Sequence, residues 1–363
     1  LDLSHNQIRE VPGEVADLLA LCSLRLSSNG LEKLAPEIYS MQKLEELDLS
    51  HNCLVALPEP IPSNLSSDPQ ERCMERLRLL DISHNQLAVL DDLLGMFSHL
   101  ETLDASWNAI TCFHGESLSK LTVLSVLDIS HNHLEVFPNG LRACVGLTHF
   151  KATHNRLSFV PESFVHTTKL VSIDLSFNEI SDAAGKIFAM LSHLRTLLLH
   201  HNRIGPLPSM LYTTRHLEHL DLSHNEIPII AEGLGQLSSL TYLNLSFNRI
   251  TSLPDTISSL TQLHTLELES NRLTDLPTTL SKLHRKLSRM SLSKNDFVAS
   301  PGLLTTLPLL MSCNLSWNPR LRSQWIDWEK ASAEYKPKKT FITPQILRRR
   351  INQTVDRLDG VIL

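Results

Sequence analysis

Apolar positions along the chain recur in one frame, complete around Asn52 as Leu44, Leu47, Leu49, Asn52 and Leu54 with polar residues between. The short cores Leu47/Leu49, Leu220/Leu222 and Leu243/Leu245 alternate apolar and polar with period two, which predicts brief strands with one buried face. Fourteen asparagines mark the copies: Asn6, Asn29, Asn52, Asn85, Asn108, Asn132, Asn155, Asn178, Asn202, Asn225, Asn248, Asn271, Asn295 and Asn318. Each step is 23 or 24 residues, except the 33 between Asn52 and Asn85. A fixed period of this length predicts a solenoid, because one copy cannot bury its own apolar face and must stack on its neighbours. Stacking gives an α/β architecture of about 14 repeats, with a curved parallel sheet on the concave face and short 3-10 or helical segments on the convex face.

Each asparagine follows its strand where the chain turns inward, so its amide is buried among backbone groups. A buried amide must be hydrogen-bonded, and bonds to its own turn and to the adjacent turn predict a continuous ladder. Prolines follow six residues after the asparagine at Pro12, Pro58, Pro161, Pro254 and Pro277. A residue with a fixed φ and no N–H suits a tight non-strand segment. This LPxxIxxLxxL tail resembles the intracellular leucine-rich repeat class, which includes Ras-binding scaffolds, Scribble-type proteins and the arrays of Roco kinases. The resemblance covers residues 1 to about 318. It implies a protein partner in signalling, polarity or the cytoskeleton, such as a small GTPase, a phosphatase or a cytoskeletal protein.

Two copies depart from the frame. Residues 179–191 lack proline and are rich in helix formers, which predicts a true helix on the convex side. The extra residues before Asn85 hold four prolines between Pro58 and Arg72 and predict a protruding loop. The organisation expected is an array over 1–318, a helical cap over 319–334, and a linker with an amphipathic helix over 335–363. Trp325 and Trp328 seal the last repeat, and Leu347, Ile351, Val355 and Leu358 form the apolar stripe of the final helix. Leu1 already falls inside a strand with no polar cap before it, so the array is expected to begin partway through a longer protein.

Charge and chemistry narrow the function. Residues 319–363 hold ten Lys/Arg against five Asp/Glu, so the net −6 of the whole chain leaves −11 on the repeats. An acidic body lacks the basic footprint that nucleic acid needs. The six cysteines are scattered, no apolar run is long enough to span a bilayer, and the Asn-Leu-Ser sequons at Asn244 and Asn314 lie within strand positions. The placement expected is cytoplasmic with reduced thiols. No phosphate loop, HExxH, CxxC, GxSxG or kinase signature occurs, and 12 glycines in 363 residues leave little room for a nucleotide-cradling loop. The reading is a non-catalytic scaffold without cofactor or metal. One alternative is the targeting arm of a larger enzyme, such as a kinase, GTPase, phosphatase or cyclase; another, an extracellular receptor fragment, would require a signal peptide and cysteine-rich caps upstream.

The candidate site is the concave face. The residue four before each asparagine gives Asp81, Asp104, Asp128, Asp174, Asp221 and Glu267, interrupted by Lys151. The residue just before each asparagine gives Trp107, His131, His154, Phe177, His201, His224 and Phe247. With Tyr242 on the strand leading to Phe247, these rows suit capture of a basic or mixed protein surface. Trp107, Phe177, Phe247 and Tyr242 are the expected anchors. Paired histidines would take charge below about pH 6.5 and cancel the acidic stripe.

Overall fold

The computed structural model describes residues 1–60, 74–90, 92–114, 117–299 and 301–319. The loop predicted before Asn85, the cap predicted over 319–334 and the helix predicted within 335–363 fall largely outside the described residues. Chain contacts divide the protein into two units, Leu1–Leu197 and Leu198–Leu363, each described here by itself.

In the first unit, three-residue strands pair in parallel and in sequence order: Ser23–Arg25, Glu46–Asp48, Leu79–Asp81, Thr102–Asp104, Val126–Asp128, His149–Lys151 and Ser172–Asp174. In the second unit the run is His219–Asp221, Tyr242–Asn244, Thr265–Glu267, Arg289–Ser291 and Ser312–Asn314. The strand Thr196–Leu198 lies at the boundary. The middle residue of each strand points inward: Leu24, Leu47, Leu80, Leu103, Leu127, Phe150 and Ile173 are buried, as are Leu220, Leu243, Leu266 and Met290. Their neighbours on either side point to the opposite face, as period-two alternation requires. Register is exact across strands, so like positions stand in rows.

Away from the sheet the chain turns through 3-10 segments, including Gly13–Asp17, Glu162–His166, Asp255–Ser259 and Thr278–Arg285. Pro12, Pro161, Pro254 and Pro277 precede these four, with φ between −61° and −76°, which is the dihedral their rings impose. The copy after Asn178, without proline and rich in helix formers, forms an α-helix instead, Gly185–Phe188. Two further parallel pairs follow the asparagine turn, Glu10–Val11 with Lys33–Leu34 and Val89–Leu90 with Cys112–Phe113. In the first unit Phe137, Phe150 and Phe164 fill the space between sheet and 3-10 segments, with edge-to-face contacts at 5.2 and 5.4 Å.

The asparagine ladder is present in the predicted form. Asn155 Nδ2 donates to the carbonyls of Ile129 (3.0 Å), Ala152 (3.3 Å) and Thr153 (3.2 Å), and its Oδ1 accepts the Leu134 N–H at 2.9 Å. One amide thus ties two consecutive turns together. Asn6 is exposed, and among the described residues its amide bonds within its own turn, to the carbonyls of Leu3 and Ser4.

Candidate functional site: the rows on the sheet face

Two rows run across the strands. The row at the strand ends carries the acids: Asp48 pairs in register with Asp81, Asp81 with Asp104, and Asp104 with Asp128. Lys151 follows, flanked by Asp128 and Asp174. In the second unit Asp221, Asn244 and Glu267 are in register. These side chains are half-buried, except for the exposed Lys151.

The aspartates do more than project. Asp48 Oδ1 accepts the Ser50 N–H (3.0 Å) and hydroxyl (2.7 Å), and Asp104 Oδ1 accepts both groups of Ser106 (2.9 and 2.6 Å). Asp174 with Ser176 and Asp221 with Ser223 repeat this pattern, while Asp81 and Asp128 accept the N–H of Ser83 and Ser130. One carboxylate oxygen therefore closes an Asx turn, and the same bond is made by Asn244 and Asn314. A stripe expected to face a partner is half committed to the fold. The second oxygens differ: that of Asp128 is 3.6 Å from the Lys151 ammonium and that of Asp221 accepts the Asn244 amide at 3.0 Å. Burial pushes the Asp81 carboxyl above its usual range, and the neighbouring Asp104 and Asp48 add to it against the bonds from Ser83.

The residue before each asparagine holds left-handed backbone without glycine. His51, His84, Trp107, His131, His154 and Phe177 have φ between 51° and 54°, and His201, His224 and Phe247 between 53° and 55°. This conformation costs an L-residue about 1–2 kcal/mol. It aims the side chains into one line, where the rings stack. In the first unit centroids are separated by 3.9 Å (His51–His84), 5.2 Å (His84–Trp107), 3.6 Å (Trp107–His131), 4.1 Å (His131–His154) and 4.0 Å (His154–Phe177), with planes within 15°. In the second unit His201, His224 and Phe247 stack at 3.9 and 4.1 Å, and the Lys294 ammonium lies 5.4 Å from the Phe247 centroid. Ring faces are consumed inside the stack, so the ladder offers ring edges outward. Of the expected anchors in this row, Trp107 (49% exposed) and Phe247 (39%) stay exposed, while Phe177 is half-buried.

Three histidines of the ring row titrate lower than the sequence suggests. Burial depresses His84, His131 and His224, and the neighbouring imidazoles His51, His154 and His200 respectively add to it. Among the described residues no three His, Cys, Asp or Glu side chains converge to hold a metal ion. No helix among them is long and apolar enough to cross a membrane.

All predicted site residues thus fall on the sheet face. Asp81, Asp104, Trp107, Asp128, Lys151, His131, His154, Asp174 and Phe177 assemble in the first unit, and His201, Asp221, His224, Tyr242, Phe247 and Glu267 in the second. The sequence reading missed His219, which stacks on Tyr242 at 4.1 Å and 3°, and Lys294, which pairs with Glu269 at 2.9 Å. Strand alternation held the signal for His219, two residues before Asp221. Lys294 precedes Asn295 and so occupies the aromatic row itself.

Comparison with known proteins fits this architecture. Residues 1–211 match the model of a leucine-rich repeat region, 192–250 a leucine rich repeat, and 238–282 a pair of leucine rich repeats. The chain is 31% identical to human fibromodulin over 211 residues, 56% of this chain and 52% of that protein. It is 30% identical to Tsukushi of Mus musculus over 216 residues, 58% of this chain and 59% of that one. The chain therefore spans about half the length of these curated relatives. Among solved structures, a leucine-rich repeat protein of Leptospira interrogans superposes with TM-score 0.76 at 29% identity, covering 85% of this chain and 76% of that chain. Fibromodulin, Tsukushi, osteomodulin and podocan-like protein 1 are secreted extracellular-matrix proteins, which overturns the cytoplasmic placement. The sequons at Asn244 and Asn314 fall on strand positions where the repeat itself writes Asn-Leu-Ser, so they argue for neither compartment. The matches support the repeat family and not its intracellular subclass. With a repeat-region model matching residues 1–211, stacked parallel strands and an asparagine ladder, the chain belongs to the leucine-rich repeat family.

Proposed function

We propose that the chain is a non-catalytic protein-binding array that receives a basic protein surface on its sheet face. The observation that carries this reading is the run Asp48, Asp81, Asp104 and Asp128 on consecutive strands. The second carboxylate oxygens of the first three have no hydrogen-bond or ion-pair partner among the described residues. Strands about 4.8 Å apart hold these charges close enough to repel by on the order of 1 kcal/mol per neighbouring pair under water-like screening. A cationic surface laid along the row relieves that repulsion, and the parallel line of ring edges supplies a rim. The matched relatives belong to non-enzymatic families of repeat proteins, which agrees with a binding role.

The test replaces all four aspartates by asparagine, which retains the turn-closing oxygen. Partner binding is expected to fall and to lose its salt dependence while the melting temperature holds. Undiminished binding by the quadruple variant contradicts the proposal.

A further inference from the structure

The second unit carries a carboxylate and an aromatic ring that the fold does not use on each other. Tyr242 stacks one face on His219. Its other face looks over the next strand, where its in-register neighbour is the small Thr265. No ring and no cation among the described residues covers that second face. Two residues along from Thr265, on the same side of the sheet, stands Glu267. Glu267 is half-buried, and while its backbone carbonyl accepts the Leu245 N–H at 2.8 Å, its carboxylate makes no ion pair and accepts no hydrogen bond among the described residues.

Its neighbours explain why the charge is left open. Asp221 is fully engaged by Ser223 and Asn244. Glu269 is taken by Lys294 at 2.9 Å. Arg289 stands in register with Thr265 and draws the Glu267 carboxyl down, but burial and the charge of Glu269 outweigh it and the group titrates above its usual range. Burial, then the charges of Asp221 and Glu267, likewise push the Tyr242 hydroxyl up, against a hydrogen bond with the Asn244 side chain.

We infer that Tyr242 and Glu267 form a seat for one arginine side chain of the bound protein, its guanidinium plane lying on the open ring face over Thr265 and its N–H fork meeting the Glu267 carboxylate. This deepens the protein-binding reading and rests on it. Arginine fits better than lysine for a geometric reason. A planar guanidinium stacks on a ring and donates two parallel bonds in its own plane, whereas an ammonium is a strongly hydrated point charge that satisfies one contact at the expense of the other.

The experiment labels the tyrosine rings of the full chain with 13C, assigns Tyr242 by Tyr242→Phe, and titrates acetyl-Gly-Arg-Gly-amide against its lysine and citrulline counterparts. The arginine peptide is expected to shift the Tyr242 ring signal, with the lysine and citrulline peptides giving far smaller shifts. Glu267→Gln is expected to weaken the arginine peptide about tenfold without lowering the melting temperature. Equal shifts from citrulline or lysine, or unchanged arginine binding in Glu267→Gln, overturn the seat. The quadruple aspartate variant leaves both seat residues intact, so the two ideas fail separately. If the seat fails while that variant still loses its protein partner, only the seat falls.

Discussion

Trp107 and His131 lie 3.6 Å apart between ring centroids, with planes inclined by 11°, and both hold left-handed backbone at φ 54° and 53°. Neither feature is independent of the other. The strained dihedral turns each side chain into line with the ring on the next strand, and the stack offsets part of the strain, at about 0.5–1.5 kcal/mol per aromatic pair.

This coupling predicts an inverted order of substitutions. Trp107→Ala loses two ring contacts and keeps the left-handed strain. Trp107→Gly loses the same contacts but occupies that dihedral freely. Denaturant unfolding should show the glycine variant more stable than the alanine variant by about 1 kcal/mol, opposite to the usual ranking outside left-handed positions. Alanine equal to or better than glycine contradicts a strained ladder.

The asparagine ladder predicts a contrast by position. Asn155→Ala removes four bonds and leaves the buried Leu134 N–H without its acceptor, so it should cost about 1–3 kcal/mol or somewhat more. Asn6→Ala removes two exposed bonds within one turn and should change stability by less than about 0.5 kcal/mol. Thermal melts of the two variants measure the difference directly.

Histidine titration predicts acid sensitivity. His84, His131 and His224 are depressed in the fold, so between their folded and unfolded pKa values the unfolded chain binds more protons. Stability from these groups is therefore complete above the unfolded value near 6.5 and is lost as pH falls through the folded values. Asp81 and Glu267 are raised in the fold and act with the opposite sign. The melting temperature should decline from pH 7 toward pH 5, and less steeply in His131→Phe. A rise over that interval contradicts the assignment.

Asp104→Asn separates fold from function. Asn244 and Asn314 already close the same turn with an amide oxygen. The substitution should change stability by less than about 0.5 kcal/mol while removing one unneutralised charge from the face.

Much of the fold was legible because the signals are local and repeated. The 23-residue period, Leu47 and its counterparts, the prolines before the 3-10 segments, the helix at Gly185–Phe188 and the asparagine ladder each follow from residue type at a fixed position. The rows of the candidate site were legible too, since register converts a sequence column into a line in space. The stacking was not. Left-handed backbone is ordinarily signalled by glycine or asparagine, and here the position is filled by histidine, tryptophan, phenylalanine, serine and lysine. Without that dihedral the rings read as independent exposed anchors. The double role of the aspartates was hidden for a similar reason, because an Asx bond to Ser50 or Ser106 depends on a turn geometry that the letters Asp-x-Ser do not specify.

Hydrogen-exchange footprinting of the chain with a bound protein partner tests the central claim most directly. Protection is predicted in the peptides holding Asp81, Asp104, Trp107, Asp128 and His131, with the exposed apolar residues Val136, Phe159 and Ile229 unprotected. Protection confined to those three and the 3-10 segments, with the aspartate and ring rows exchanging freely, would contradict it.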